Sequence, residues 1–184
     1  MMVIANATTS FLDQSMIEQT APLLRVRVGT PADVDGVMML ALKASAENSF
    51  VEPVPQRLLE EIYPPLCLDR GIVGIIGDDE NPYQGAIVMR IVKLWYSNED
   101  VIEEKAVFVD PAYRAAKGGR ARLFCEFAKR TSDEMQLPLL IGILSNDRTE
   151  AKVRLYERQF GKPAGAFFLW NGMTASARAA RNGT

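Results

Sequence analysis

The stretch from residue 107 to residue 128 constrains the fold most, because it joins a strand pattern directly to a helix pattern. Val107, Phe108 and Val109 are strong β-formers. Asp110-Pro111 ends that run, since proline has no N–H for a sheet ladder. Beyond the next turn the apolar residues recur with a helical period. The stretch therefore predicts a strand, a tight loop and a helix in immediate succession.

The loop between them has the features of an anion site. Gly118 and Gly119 allow the backbone a positive φ and a close approach to a ligand. The first N–H groups of the following helix lie at the positive end of its dipole, where phosphate binds. The surrounding cations are Arg114, Lys117, Arg120 and Arg122. The loop thus predicts a phosphate or pyrophosphate site, the alternative being a solvated basic turn.

Composition excludes several classes of protein. A chain of 184 residues predicts one domain, and 21 Lys and Arg against 23 Asp and Glu do not favour non-specific nucleic-acid binding. No apolar run predicts a membrane span, and no signal peptide is evident at the N-terminus. The two isolated cysteines favour reduced thiols in a cytoplasmic protein. With no histidine, a His-based triad and the commonest zinc sites are excluded, which leaves Glu, Asp, Tyr, Cys or Lys for acid–base chemistry.

Periodicity predicts the order β-α-α-β-β-β-α-β-α-β. The first helix begins at Thr30-Pro31, with an N-cap residue followed by proline, and the second is expected to stop at Pro64-Pro65. The predicted strands cover residues 24–28, 71–76, 85–95, 101–109, 137–144 and 166–170, and the helices 30–47, 56–63, 121–135 and 146–160. Hairpins mixed with crossover helices predict an α/β fold, a mixed twisted sheet with helices on both faces. Residues 1–22 are expected to form a flexible arm, 23–172 the domain and 173–184 a frayed tail.

Residues 24–170 resemble the GNAT superfamily of acyl-CoA N-acyltransferases. The element order is that of the family's single-domain fold. Val109-Asp-Pro-Ala-Tyr-Arg114 and the glycine loop are similar to the family's coenzyme A pyrophosphate loop, Q/R-x-x-G-x-G/A. Gly119-Arg120-Ala121 takes the G-x-G/A part, but Ala116 stands at the Q/R position and Arg114 comes two residues early. The helix with Tyr156 that ends at Gly161 resembles the family's late helix.

The resemblance implies an N-acetyltransferase that moves an acetyl group from acetyl-CoA to a primary amine, by direct attack in a ternary complex and without a metal. In that fold the strands around Val109 and Leu144 splay apart to admit the pantetheine arm, and the resemblance assigns the thioester oxygen to the backbone N–H of Val109. The coenzyme A site implied is Val107, Val109, Arg114, Lys117, Gly118, Gly119, Arg120, Ala121, Arg122 and Asn146. The acceptor implied is a small-molecule or peptide amine, with no nucleic acid or membrane partner, and a homodimer is left open.

Glu103, Glu104 and Tyr156 are the candidate catalytic residues. Glu103 lies six residues before Val109, so regular alternation would place both on one face of the strand. Either glutamate can attract and deprotonate an amine, the alternative being two exposed hairpin residues. Tyr156 is protonated at neutral pH and can donate to a leaving thiolate, the alternative being a core aromatic on a stripe with Phe160.

Other interpretations stay open at this stage. A degenerate GNAT-type fold would bind coenzyme A or a protein partner without catalysis, and a structural module would use the N-terminal arm. Trp95 and Tyr96 either shape the acceptor pocket or cover the sheet. Acidic residues mildly favour a cationic small amine as acceptor, namely Glu47, Glu52, Glu60 and Glu61.

Overall fold

The computed structural model describes residues 24–48, 50–114, 119–144, 149–166 and 168. Within these ranges the strands are β1 (Arg27–Val28), β2 (Gly71–Ile76), β3 (Gly85–Lys93), β4 (Asp100–Val109) and β5 (Leu139–Leu140), and the helices are α1 (Val34–Asn48), α2 (Pro55–Cys67), α3 (Arg120–Met135) and α4 (Thr149–Phe160). The predicted arm and tail lie outside the described residues, as does most of the predicted strand 166–170. Ala166 and Phe168 are described and belong to no strand.

The five described strands form one sheet in the order β1-β2-β3-β4-β5. All neighbouring pairs are antiparallel except β4 with β5, which is parallel. Ile75 packs with α1 and α2 on one face, whereas the next residue, Ile76, packs with α3 on the other. The prediction of a mixed sheet with helices on both faces is confirmed.

Asp33 ties the start of α1 to the sheet. Its carboxylate accepts both Nη groups of Arg27, at 2.9 and 2.7 Å, and the backbone N–H of Thr30 at 2.8 Å. The hydroxyls of Thr30 and Tyr83 also donate to it, each at 3.0 Å. Because Arg27 lies in β1 and Tyr83 directly precedes β3, one buried carboxylate connects three parts of the chain.

The predicted end of the second helix at Pro64-Pro65 is wrong, because α2 continues through both prolines to Cys67. Pro64 has no N–H for the carbonyl of Glu60, which would ordinarily leave that carbonyl without its helical partner. Arg90 in β3 donates to it instead, at 3.0 Å. The carbonyl of Pro64 then accepts from Leu68 at 3.0 Å, so the last turn closes normally.

The fifth strand is much shorter than the predicted 137–144. It pairs with β4 only at Ile102–Leu139 and Glu103–Leu140. Beyond this point β4 continues to Val109, while residues 141–144 belong to no strand. The two segments are therefore free to diverge, and this divergence opens the sheet at the C-terminal half of β4.

A β-bulge interrupts β4 beside this opening. Val88 of β3 faces Ala106, but the next residue, Met89, faces Glu104, so that Lys105 is an extra residue in β4. A bulge shifts the alternation of side chains by one position. Residues on either side of Lys105 consequently point to different faces from those that regular alternation predicts.

Candidate active site

A cavity of about 610 Å³ occupies the opening between β4 and residues 141–144. This volume is within the range typical of small-molecule sites. Its wall is built by β4, the segment after β5, the first turn of α3, one side of α4 and the C-terminal end of α1. The predicted site residues that line it are Glu103, Glu104, Val107, Val109, Arg114, Arg120, Ala121 and Tyr156. Lys117, Gly118 and Asn146 lie outside the described residues.

Glu104, and not Glu103, shares a face of the sheet with Val109. Val107 and Val109 pack against the α3 side of the sheet, in the cluster that contains Met89. Met89 is the register partner of Glu104, whereas Glu103 faces Arg90. The prediction that Glu103 and Val109 lie on one face is wrong, because the bulge at Lys105 shifts the alternation between them.

The Glu104 carboxyl lies in the gap between the two diverging segments. Its Oε2 accepts the backbone N–H of Gly142 at 3.3 Å. Burial raises the pKa of Glu104 to about 7, and the charge of Glu103 acts in the same direction, against the opposing effects of Gly142 and Lys152. Both protonation states are therefore populated near neutral pH, the condition under which a carboxyl works best as a general base or acid.

Tyr156 extends from α4 to the same side of the cavity. Its ring contacts Phe160 edge-to-face, with centroids 5.6 Å apart. Burial raises the pKa of the phenol, and the neighbouring Glu104 charge raises it further, so the hydroxyl stays protonated at neutral pH. None of the described residues of α4 is fully buried, which places Tyr156 in a cavity wall rather than in a closed core.

The thiol of Cys125, a neighbour of Tyr156, is expected to be unreactive. The residue is 1% exposed, and burial raises the pKa of its thiol to about 11. A buried neutral thiol is a poor nucleophile, because the thiolate is the reactive form. Both cysteines are free thiols, in line with the expectation of reduced cysteines.

Glu103 lies on the opposite side of the opened sheet, in an ion pair. Lys105 Nζ is 2.6 Å from its carboxylate and 4.0 Å from that of Glu61 on α2. Glu103 and Lys105 lie on β4 at the bulge, and both line the cavity. A carboxylate already neutralised by an ammonium is a weaker candidate for a base than Glu104.

The first turn of α3 supplies the cationic end of the cavity. Arg120 is held in one orientation, because its Nε and Nη2 donate to Gln84 Oε1 at 3.1 and 2.6 Å and its Nη1 donates to the carbonyl of Tyr113 at 3.0 Å. Gln84 is itself only 1% exposed. Its buried amide gives no periodic signal in the sequence and was missed there.

Gly119 caps α3 and leaves space beside the helix N-terminus. Its φ is −36°, so the expected positive φ is not needed at this residue. A Cβ at Gly119 would meet only the side chain of Arg122, at 3.7 Å, which is ordinary contact. The backbone at this point is thus open to a ligand, and nothing described in the protein fills the space.

Arg114 and Arg122, the other described cations of the predicted loop, are engaged elsewhere. The guanidinium of Arg114 pairs with Glu47 at the end of α1, with N–O distances of 2.9 and 2.6 Å, while its Nε donates to the carbonyl of Val109. Arg122 is exposed and lies 3.5 Å from Glu126, one turn further along α3. Of the described cations, Arg120 is therefore the one that is both fixed and close to the helix N-terminus.

Solved structures with similar folds include several acetyltransferases. The aminoglycoside N-acetyltransferase AAC(6')-Iy in complex with CoA is 11% identical, with 80% of this chain and 93% of that chain aligned at a TM-score of 0.61. A ribosomal-protein-alanine N-acetyltransferase from Brucella melitensis biovar Abortus 2308 is 11% identical, covering 80% and 97%, at 0.58. A possible acetyltransferase from Clostridium difficile 630 is 14% identical, covering 80% and 96%, at 0.61.

At these low identities the likeness shows the fold alone. The chain has the α/β fold of the GNAT acyltransferases, as its sequence predicts. No protein-family model matches the sequence, and no curated protein matches it significantly. No helix in the described part of the chain is long and apolar enough to cross a membrane.

Proposed function

We propose that the protein is an N-acetyltransferase that transfers the acetyl group of acetyl-CoA to a primary amine. The observation that carries this proposal is the cavity in the opened sheet, where a carboxyl with a pKa near 7 and a protonated phenol face one ligand-sized space. General acid–base transfer needs such a pair. The fold supports the proposal, because its neighbours include acetyltransferases solved with CoA.

The donor end of the site lies at the N-terminus of α3. Free N–H groups and the helix dipole attract a pyrophosphate there, and Arg120 adds a fixed positive charge. Arg120 uses three N–H groups on Gln84 and Tyr113 and retains two more of its five for an anion. The open backbone at Gly119 lets a phosphate approach closely.

The pantetheine arm would run along the open edge of β4. Val107 and Val109 line the cavity there, so the backbone N–H of Val109 is the proposed donor to the thioester oxygen. Lys117, Gly118 and Asn146 remain proposed coenzyme A contacts on the strength of the family resemblance. Arg114 and Arg122 are weaker candidates, since each already faces a carboxylate.

The proposed reaction is a direct attack by the amine on the thioester carbon. The acceptor ammonium first gives a proton to Glu104, and the free amine then forms the new N–C bond as the C–S bond breaks. Tyr156 gives its proton to the departing sulfur to form free coenzyme A, and the phenolate takes back the second proton of the attacking nitrogen, which leaves the neutral amide. Glu104 then releases its proton to solvent. Each proton and electron pair is accounted for, and no covalent enzyme intermediate is required.

Acetyl-CoA binding and turnover test the proposal together. Acetyl-CoA at about one hundred times its dissociation constant should stabilise the protein by roughly 2.7 kcal/mol, which is several degrees in melting temperature. Release of free thiol in the presence of a primary amine should accompany that shift. An unmoved melting curve at saturating acetyl-CoA would sink the proposal, whereas a shift without turnover on any amine would indicate a binding protein.

Gly119→Asp locates the pyrophosphate site. The new carboxylate would repel phosphate and fill the space beside the helix N-terminus, so we expect the acetyl-CoA shift to disappear while the apo melting temperature stays close to wild type. Gly165→Asp is the matched control, because Gly165 is exposed and a Cβ added there would have nothing within 4 Å. Equal shifts in both variants would place the pyrophosphate elsewhere.

A further inference from the structure

Two ion pairs form the cavity wall on the α1 and α2 side of the sheet. Arg114 pairs with Glu47 at 2.6 Å, and Lys105 pairs with Glu103 at 2.6 Å. All four residues line the cavity. Their side chains are only 16 to 33% exposed, so solvent screens these charges incompletely. This wall lies on the opposite face of the sheet from α3, which would hold the pyrophosphate. In the proposed reaction the acceptor therefore enters on the side of the wall.

Three of the four glutamates that suggest an acidic acceptor region, Glu47, Glu60 and Glu61, are paired with cations. Besides the two pairs in the wall, Glu61 lies 3.0 Å from Arg90, and Glu60 pairs with Arg57. Among the described residues, these pairs neutralise the glutamates in question, so the acidic composition of the region does not produce a negatively charged cavity wall. At this wall a polycationic acceptor would have to separate an existing ion pair in order to gain a carboxylate.

Lys105 has capacity for a further anion. Its ammonium has three N–H donors, of which Glu103 takes one at 2.6 Å, while the nearest Glu61 oxygen is 4.0 Å away. As the extra residue of the bulge, Lys105 belongs to neither regular face of β4. Arg114 also keeps two of its five N–H groups, but it is a weaker candidate because both oxygens of Glu47 pair with its guanidinium and its Nε is fixed on the carbonyl of Val109.

We infer that the acceptor is an amine that carries its own carboxylate, a zwitterion such as a free amino acid, and that Lys105 binds this carboxylate. The inference rests on the proposed function and specifies its acceptor class. A zwitterion adds no net charge to a wall that is already neutral, and its carboxylate shares the Lys105 ammonium with Glu103. Its ammonium is left free to reach Glu104 through the opening in the sheet.

Matched acceptors test the inference. Each free amino acid, from glycine to an aromatic residue, is compared with its own primary amide, and spermidine serves as the polycation. With acetyl-CoA saturating, we expect kcat/KM to be at least tenfold higher for the acid than for the amide. Because amidation also lowers the pKa of the amine, the decisive quantity is the change in this ratio on substitution of Lys105.

Lys105→Gln should lower kcat/KM for the acid about tenfold, mainly through KM, and leave the amide nearly unaffected. Lys93→Gln is the control, since Lys93 also pairs with a carboxylate, Asp100 at 2.7 Å, but does not line the cavity. It should leave the ratio unchanged. Both variants should keep the thermal shift with acetyl-CoA, which shows that the donor site and the fold are intact.

The possible results separate the inference from the proposed function. Absence of any thermal shift with acetyl-CoA on the wild type would count against the proposed function itself. If acetyl-CoA shifts the melting temperature normally, but spermidine or the amides are acetylated as efficiently as the free amino acids, the inference alone is overturned. The same holds for a ratio that Lys105→Gln leaves unchanged. A stabilised protein that acetylates none of the amines would overturn both the inference and the proposed transferase activity, and would indicate a protein that only binds acetyl-CoA.

Discussion

Asp33 is buried and Glu104 is half-buried, and their environments move their pKa values in opposite directions. Asp33 is 5% exposed, and its hydrogen bonds from Arg27 hold its pKa well below the usual range, with Thr30 and Tyr83 contributing. Glu104 accepts a long hydrogen bond from Gly142, at 3.3 Å, and burial outweighs it, so its pKa rises to about 7. Hydrogen bonds from Arg27 lower the pKa of one carboxyl, whereas desolvation raises that of the other, and a raised pKa of this kind is what a candidate acid or base is expected to show.

The two carboxyls also affect stability with opposite dependence on pH. The lowered pKa of Asp33 contributes stability that is present above the unfolded pKa near 4 and is lost as the pH falls below it. The raised pKa of Glu104 means that the folded state binds more protons than the unfolded state between about pH 4.3 and 7. Stability contributed through Glu104 therefore falls as the pH rises through that range.

Glu104→Gln should have the largest effect on activity. The amide keeps an oxygen for the N–H of Gly142 but cannot take a proton from an amine, so we expect turnover to fall about 100- to 10,000-fold. Wild-type activity should rise with pH through about 7, and this limb should be absent from the residual activity of the variant. A variant that retained the same rate and pH limb would return Glu104 to a structural role.

Tyr156→Phe should lower turnover by about 100-fold, the lower end of the usual range for an acid. Burial keeps the phenol protonated but also weakens it as an acid, and a thiolate is already a fair leaving group. The ring and its contact with Phe160 are retained, so the melting temperature and the acetyl-CoA shift should stay close to wild type. Full activity in a normally folded variant would return Tyr156 to a packing role.

Local patterns predicted much of this arrangement. Strand β2 has the predicted bounds, and α3 begins one residue before the predicted start, because hydrophobic period and glycine position act within a few residues. The cavity between β4 and the segment after β5 was expected only from the family resemblance. The continuation of α2 through Pro64 could not be foreseen, since it depends on Arg90 from another strand.

The placement of Glu103 on the same face of β4 as Val109 was wrong for a comparable reason. Alternation along β4 favoured Glu103, but the bulge at Lys105 depends on how β4 pairs with β3. Nothing local marks that position as a bulge. The pKa of Glu104 likewise depends on burial and on Lys152 of α4, distant in the sequence, so only the three-dimensional structure distinguishes the two neighbouring glutamates.

Asp33→Asn should destabilise the protein by roughly 2 to 3 kcal/mol at pH 7, because Arg27 loses its charged partner. The difference from wild type should shrink below about pH 4, where the Asp33 contribution is lost. Glu104→Gln should instead stabilise the protein above pH 7, by about 1 to 2 kcal/mol after allowance for screening. Urea denaturation of both variants from pH 3 to 8 measures the two trends, and parallel behaviour would contradict the comparison.

Glycine-to-alanine substitutions should lower the stability of the protein more in the packed region around Asp33 than at the open N-terminus of α3. A Cβ at Gly36 would lie 2.2 Å from the ring of Tyr83, whose hydroxyl donates to Asp33, so Gly36→Ala should cost about 1 to 2 kcal/mol. Gly119→Ala should cost less than about 1 kcal/mol, since its Cβ meets only Arg122. Thermal melts without ligand measure both, and equal losses would mean that the space beside α3 is not open.

Glu103→Gln should have the smallest effect, and it sharpens the contrast between the two neighbouring glutamates. Its carboxylate serves mainly as the partner of Lys105, and a partly exposed ion pair contributes less than about 1 kcal/mol, so kcat should change by less than about fivefold. Removing the charge also leaves Lys105 without its nearest competitor for an acceptor carboxylate. The KM for a free amino acid should therefore fall, while the KM for its amide should not. Steady-state kinetics on the two acceptors provide the measurement. A loss in kcat larger than that of Glu104→Gln would make Glu103 the base and would mean that β4 pairs without the bulge in solution.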